Sequence, residues 1–565
     1  TTSADGATVA IDSQVTVTLT TPVDAAHRAV CTCLLAPRCL HRAAVLSAAP
    51  VLAASAARPP DHEPPVTTSP DRPAAPPDAE AGVTIEIDRP TATAAPAGHP
   101  QPASADEIAA TELVRTAAVQ ILERGVPGAG AVAQADLLRA VHQARVVGLP
   151  RLASAGTRVV EQLRAARRTA PGFRLADLTD DLREMFTVCH LLLSGTGDQR
   201  AARGTSRRGY DPVGDLRLYG LCTEPLRTTT GHVGVVSYLT DDEATIWTMA
   251  QARPGDAATA RNPGNARVDL GEVTLSHREL SRAGILATNA HASADRRISH
   301  GRAVQAVRTP GRGWYDQPAA ALWQRPTAEQ ARRWLTALNQ TPHERPAGHD
   351  LAFLDGVLNA DRRGLLLDVT QLPGPVVVLA PHDDPSLPYV VNLRLLAAHA
   401  TGRPVRMIGR FCGPRQVHGL AVAAPWLPNR LGGHIDLGID HLQRGDLPGV
   451  APTATPATDA QPPPLHLLAH HLQRVVAAGR SALVPDVNQD RRALLDAQLP
   501  TAASVLHELR DAGHRRSRDA FGRLDQRDSS VLATAWLTAA VYQHAATAAA
   551  IGGAWQPAQT AGPLT

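Results

Sequence analysis

Cys31, Cys33, Cys39 and His41 place three thiols and an imidazole within eleven residues, a complete ligand set for a closed metal site. The remaining cysteines, Cys189, Cys222 and Cys412, are scattered. Zinc takes four soft or borderline ligands in a tetrahedron at roughly 2.0–2.3 Å. One residue between the members of each pair lets both ligands face the same side of an extended or kinked chain. Pro37, in the loop between the pairs, fixes φ and helps reverse the chain. The run that follows, His41-Arg-Ala-Ala-Val-Leu46, reads as the start of a helix, where free N–H groups and the helix dipole favour a thiolate.

Two other readings stay open from the residues alone. Isolated cysteines are commonly small buried hydrophobes, and neighbouring thiols can form a redox pair. A disulfide between residues i and i+2 would be strained, and a secreted disulfide framework would not leave the other cysteines so dispersed.

The order Cys-x-Cys, loop, Cys-x-His resembles the SWIM zinc finger family. Cys31 and Cys33 correspond to its first pair, and Cys39 and His41 to its second, across a loop of five residues. The resemblance implies a short β-hairpin before the first pair, a helix running on from the histidine, one structural Zn²⁺, and a role in DNA binding or protein–protein contact. Thr8–Ile11 and Val15–Leu19 around Asp12-Ser13 fit that hairpin. A four-ligand site has no open position for water or substrate, so its metal supplies folding energy rather than Lewis acidity. Arg28, Arg38 and Arg42 are the basic residues beside it. That is sparse for phosphate contact, so a protein partner is expected in preference to DNA.

Composition narrows the rest. A chain of 565 residues exceeds a single core, which predicts several domains. The net charge of +3, from 56 basic and 53 acidic residues, gives no global pull toward nucleic acid or membrane. Every basic residue is arginine, lysine is absent and alanine abounds, as in proteins from GC-rich bacterial genomes. Aromatic residues are 3% of the chain, too few for platforms that stack single-stranded bases. The apolar run 531–551 is interrupted by Thr534, Thr538, Gln543 and His544, and reads as a buried helix rather than a membrane span. No secretory signal is visible, so a cytoplasmic location is expected.

The elements expected to carry these residues form an α+β, multidomain chain. A small zinc finger of hairpin plus helix occupies 1–56, and a disordered Pro/Ala-rich linker occupies 57–103. Helical periodicity then predicts a bundle over 104–199, opened by the capping-box pattern Ser104-Ala-Asp-Glu107. Cys189 and His190 are expected in its core. Arg200, Arg203, Arg207 and Arg208 read as a solvated connector. Short β-like runs over 210–448 predict a largely antiparallel domain, a meander or small barrel, with a helix inserted at 327–339. A second linker at 449–464 precedes C-terminal helices over 465–552.

Two constellations resemble enzyme motifs without meeting them. Val378-Leu-Ala-Pro-His-Asp-Asp384 is similar to the strand-then-His-Asp-Asp stretch of LmbE-like zinc deacetylases, but His382 abuts Asp383 and the register differs. His466-Leu-Leu-Ala-His470 has zinc-protease spacing, but Leu467 stands where a general-base Glu is required. The leading expectation is a non-enzymatic zinc-binding recognition protein. The alternative is an enzyme or ligand-binding activity in 210–448, with His277, Glu279, His382, Asp383 and Asp384 as polar candidates and the finger as a targeting module.

Overall fold

The computed structural model describes residues 102–557 except 171, 206–208, 228–231, 256–262, 269, 271–272, 300–303, 342–343, 382–383, 450–463 and 518–525. Before these it describes 2–3, 6–10, 15–21, 23, 28–32, 42 and 45–46. The chain falls into two compact units, Thr1–Thr93 and Ala94–Thr565.

In the first unit β1 (Thr2–Ser3), β2 (Gly6–Ala10), β3 (Thr16–Thr20) and β4 (Ala29–Cys31) form an antiparallel sheet in sequence order. Thr-Val-Thr-Leu-Thr alternates in β3, so Val17 and Leu19 turn to one side and are buried while Thr18 and Thr20 are exposed. Val9 faces Val17 across the β2–β3 pair, the hairpin expected from 8–11 and 15–19.

The second unit mixes helices with antiparallel sheets. Its helical part begins with α1 (Ala105–Gly128), α2 (Ala131–Val146), α3 (Pro150–Arg167), α4 (Leu175–Ser194) and α5 (Gln199–Arg203). The capping box at Ser104 is present, and Glu107 also receives Arg203 at 2.7 Å, so one carboxylate closes the start of α1 and fastens α5 to it. The arginine connector is thus partly helix, with Arg203 ion-paired; 207 and 208 lie outside the described residues. Cys189 is buried in the core, but His190 is exposed, because successive positions on an amphipathic helix face different ways.

The β-rich part follows. It contains β5 (Asp211–Arg227), β6 (His232–Thr240), β7 (Ile246–Pro254), α6 (His277–Leu280), β8 (Gly284–Ala292), β9 (Gln305–Thr309), α7 (Ala320–Gln324) and α8 (Thr327–Leu338). It continues with β10 (Leu351–Asp361), β11 (Gly364–Val369), β12 (Val376–Leu379), α9 (Tyr389–His399), β13 (Pro404–Gly413), β14 (Gln416–Ala423) and β15 (His434–Asp436). One sheet has the order β7-β6-β5-β8-β9. The other runs β12-β11-β10-β13-β14-β15, and a parallel pairing of β12 with β14 closes five strands into a small barrel. Leu354, Leu367, Val378, Met407 and Val417 belong to its packed core, with Leu396 of α9. Sheet and barrel pack through Leu221, Tyr238, Phe353, Ile408 and Leu420, joined by Trp314 and Trp323.

The chain then returns to helix in α10 (Leu465–Ala478), α11 (Asn488–Asp496), α12 (Pro500–His514) and α13 (Gln526–Ala554). Leu472, Val475, Leu506 and Trp536 enter the same core as Val114, Leu137, Leu152 and Leu182. The helices before and after the sheets therefore share one core. Pro500 stands at the N-terminal turn of α12 and separates it from α11. Among the described residues no helix is long and apolar enough to cross a membrane.

Candidate metal centre

Cys31 ends β4 opposite Val17, and is buried with Val17, Leu19, Ala29 and Val45 in one small apolar cluster. Thr32 fastens the strand end: its N–H donates to the Thr16 carbonyl at 3.0 Å, and its Oγ1 accepts from the Thr16 N–H at 2.9 Å. Arg42, Val45 and Leu46 are helical. Cys33, Cys39 and His41 lie outside the described residues, so of the four expected ligands the geometry speaks for Cys31. Among the described residues no group of three His, Cys, Asp or Glu side chains is arranged to hold a metal ion.

The thiols of the second unit are held in the neutral form by burial. Burial pushes the Cys189 thiol up to about 12 and that of Cys412 up to about 11; it raises Cys222 as well, with Asp436 and Glu224 adding to the effect. Three soft donors with an imidazole suit Zn²⁺ by chemistry.

Of the enzyme candidates of the β-rich part, the described ones, His277, Glu279 and Asp384, are each engaged with their own neighbours. His277 opens α6 behind the capping box of Ser276 and Glu279. Its Nδ1 lies 2.8 Å from Ser237 Oγ, which lies 2.7 Å from Thr223 Oγ1. A serine beside a histidine has the look of an activated nucleophile, yet Ser237, Thr223 and His277 are all sealed from solvent. No substrate can reach them, so the chain of hydrogen bonds cross-links β5, β6 and α6. Glu279 Oε2 accepts the Ser276 N–H at 2.8 Å, which holds its carboxyl below the usual range. Asp384 is ion-paired with Arg227 and accepts the Ser386 N–H. His382 and Asp383 lie outside the described residues. On α10, His466 and His470 are exposed, whereas His471 is buried with Nε2 2.7 Å from Asp490 Oδ2.

Sequence reasoning missed two buried charge networks between sheet and barrel. Arg410 Nε donates to Asp350 at 2.8 Å and its Nη1 to Glu224 at 3.0 Å, while Tyr238 hydroxyl donates to Glu224 at 2.8 Å. Burial works to raise the Asp350 pKa, but Arg410 and His349 together outweigh it and the net direction is down. Nearby, Asp440 binds Arg282 at 2.6 Å and also Arg278, and it accepts the Asp436 N–H at 2.9 Å. Asp436 is fully buried; burial favours its neutral form, but His434 and Arg282 prevail and lower its pKa. The His434 ring stacks on Trp314 at 4.8 Å. A run of arginines and aspartates offered no signal for these pairs beyond the presence of both charges.

Comparison with protein-family models, with curated proteins and with solved structures found no match for this chain.

Proposed function

We propose that the chain is a zinc-binding protein whose amino-terminal module, similar to the SWIM finger, serves as a structural recognition element. Cys31, Cys33, Cys39 and His41 would hold one Zn²⁺. The metal would supply folding energy to a module whose described apolar cluster is small. One observation supports this reading: Cys31, the first of the expected ligands, packs with Val45, which is helical and lies four residues past position 41 in the sequence.

The partner proposed is a protein rather than DNA, because Arg28, Arg38 and Arg42 are too sparse to neutralise a phosphate backbone. A reducing compartment such as the cytoplasm fits the thiols; Cys189, Cys222 and Cys412 form no disulfide.

Metal analysis of the purified chain tests the reading. About one zinc per chain is expected for the parent and little for Cys39→Ser; equal content in both discards it. Binding to random duplex DNA that weakens steeply with salt would reverse the choice of partner.

A further inference from the structure

Buried glutamines in this chain hold backbone. Gln134 donates to the Ala129 carbonyl at 2.9 Å and Gln199 to the Leu191 carbonyl at 2.9 Å. Gln330 accepts the Phe353 N–H at 2.7 Å and donates to the Phe353 carbonyl at 3.2 Å. Gln162 on α3 breaks that pattern. It is 8% exposed, and among the described residues its side-chain amide makes no hydrogen bond. A buried polar group left without a partner is costly, and one that persists in a fold calls for a physical reason.

Gln162 lines a cavity of about 150 Å³. Arg158, Gln162 and Ala165 share one face of α3, where residues three and four apart are neighbours. Asp181 comes from α4, and Phe173 from the connection between the two helices, where its N–H donates to the Ala170 carbonyl at 3.0 Å. Arg158 Nε donates to Asp181 Oδ1 at 2.7 Å, but among the described residues Oδ2 accepts no hydrogen bond. The pair is unevenly placed, the side chain of Arg158 being 42% exposed and that of Asp181 16%. Burial outweighs Arg158 and raises the Asp181 pKa, with Asp177 and Asp180 adding to the effect, the reverse of what holds at Asp350 and Asp436. The half-buried Glu161 brings a second carboxylate to the lining, so negative charge exceeds positive there.

A carboxylate oxygen and an amide carbonyl, both buried and both unmatched, are acceptors for N–H groups. An ammonium ion supplies three such donors from one centre and offsets the surplus negative charge. The rest of the wall, Ala165, Ala170 and the Phe173 ring, is apolar. A cavity of this size holds a molecule as large as benzene. We propose that this cavity binds a small organic cation, a primary ammonium with an apolar tail no larger than one ring. Asp181 and the Gln162 carbonyl take its N–H groups, and Phe173 packs on its tail. The site belongs to the second unit and is independent of the zinc reading.

Calorimetric titration of the full chain with benzylammonium and n-butylammonium chlorides, at neutral pH and fixed ionic strength, tests it. Saturable one-to-one binding is expected. Gln162→Leu, which keeps the bulk and removes the acceptor, should weaken it by roughly fivefold or more, and Asp181→Asn by roughly tenfold or more. Ala165→Leu, at a half-buried position of α3, should fill the cavity and abolish binding, and keeps the test available if Asp181→Asn does not fold. Tighter binding of the benzyl or of the butyl compound would name an aromatic or an aliphatic tail; both support the site. Absence of saturable binding by the parent, unchanged affinity in the three variants, or equal binding of tetramethylammonium, which carries the charge without N–H groups, overturns it.

Discussion

Arg410 joins the first sheet to the barrel through Glu224, Tyr238 and Asp350. Removing it leaves two carboxylates in a low-dielectric site, so Arg410→Met should cost about 3–5 kcal/mol in denaturant unfolding. The pH dependence has a definite sign. Arg410 holds the Asp350 pKa below its unfolded value, so the stabilisation is fully present above about pH 4 and is lost as pH falls through the native value. In Arg410→Met burial is opposed only by His349 and a backbone hydrogen bond, so the acid limb of the stability profile should move to higher pH; an unmoved limb would refute the assignment. Nothing in the sequence announced this, because the partners lie 60 and 186 residues from Arg410. The proposed ligands at 31–41 rest on local spacing alone, and Cys33, Cys39 and His41 lie outside the described residues.

At the level of elements, what repeats locally could be read. The stripes of α2, α3 and α4, the capping boxes at Ser104 and Ser276, and the strands β6, β7, β11 and β14 all follow from period or cap chemistry. The longest strand, β5, was hidden by Pro212, Gly214, Gly220 and Pro225, which normally interrupt strands; here the register shifts occur beside Pro212, Gly214 and Gly220. Helix α1 bends at Gly125, where φ is 68°, and Gly479 at the end of α10 has φ 70°. A Cβ on Gly125 would meet the Gly479 nitrogen at 2.4 Å, so the two backbones touch at this crossing. Gly125→Ala and Gly479→Ala should each destabilise by more than about 2 kcal/mol, since left-handed strain adds to a main-chain clash. Gly553→Ala, in open space on α13, should be neutral or stabilise by up to about 1 kcal/mol. Chemical denaturation of the three variants separates these outcomes.

Across the molecule, α13 is the longest link. Trp536 near its start is buried in the helical core, and Ile551 near its end, with Trp555 just beyond, lies in the barrel core. There Trp555 meets Phe411 edge-on at 4.8 Å and donates to the Gly413 carbonyl at 3.2 Å. Trp555→Ala should cost about 3–5 kcal/mol. It should also split unfolding: tryptophan fluorescence from the barrel side should change before far-ultraviolet helicity, whereas coincident transitions would show that α13 does not couple the halves. No local pattern could foretell that helices on either side of the sheets close one core. That closure also orders events at the ribosome. The apolar faces of α1 to α4 are completed by α10, α12 and α13, so while the intervening barrel is being translated those faces stay uncovered. The nascent chain is a client for chaperones until residues 465–554 emerge.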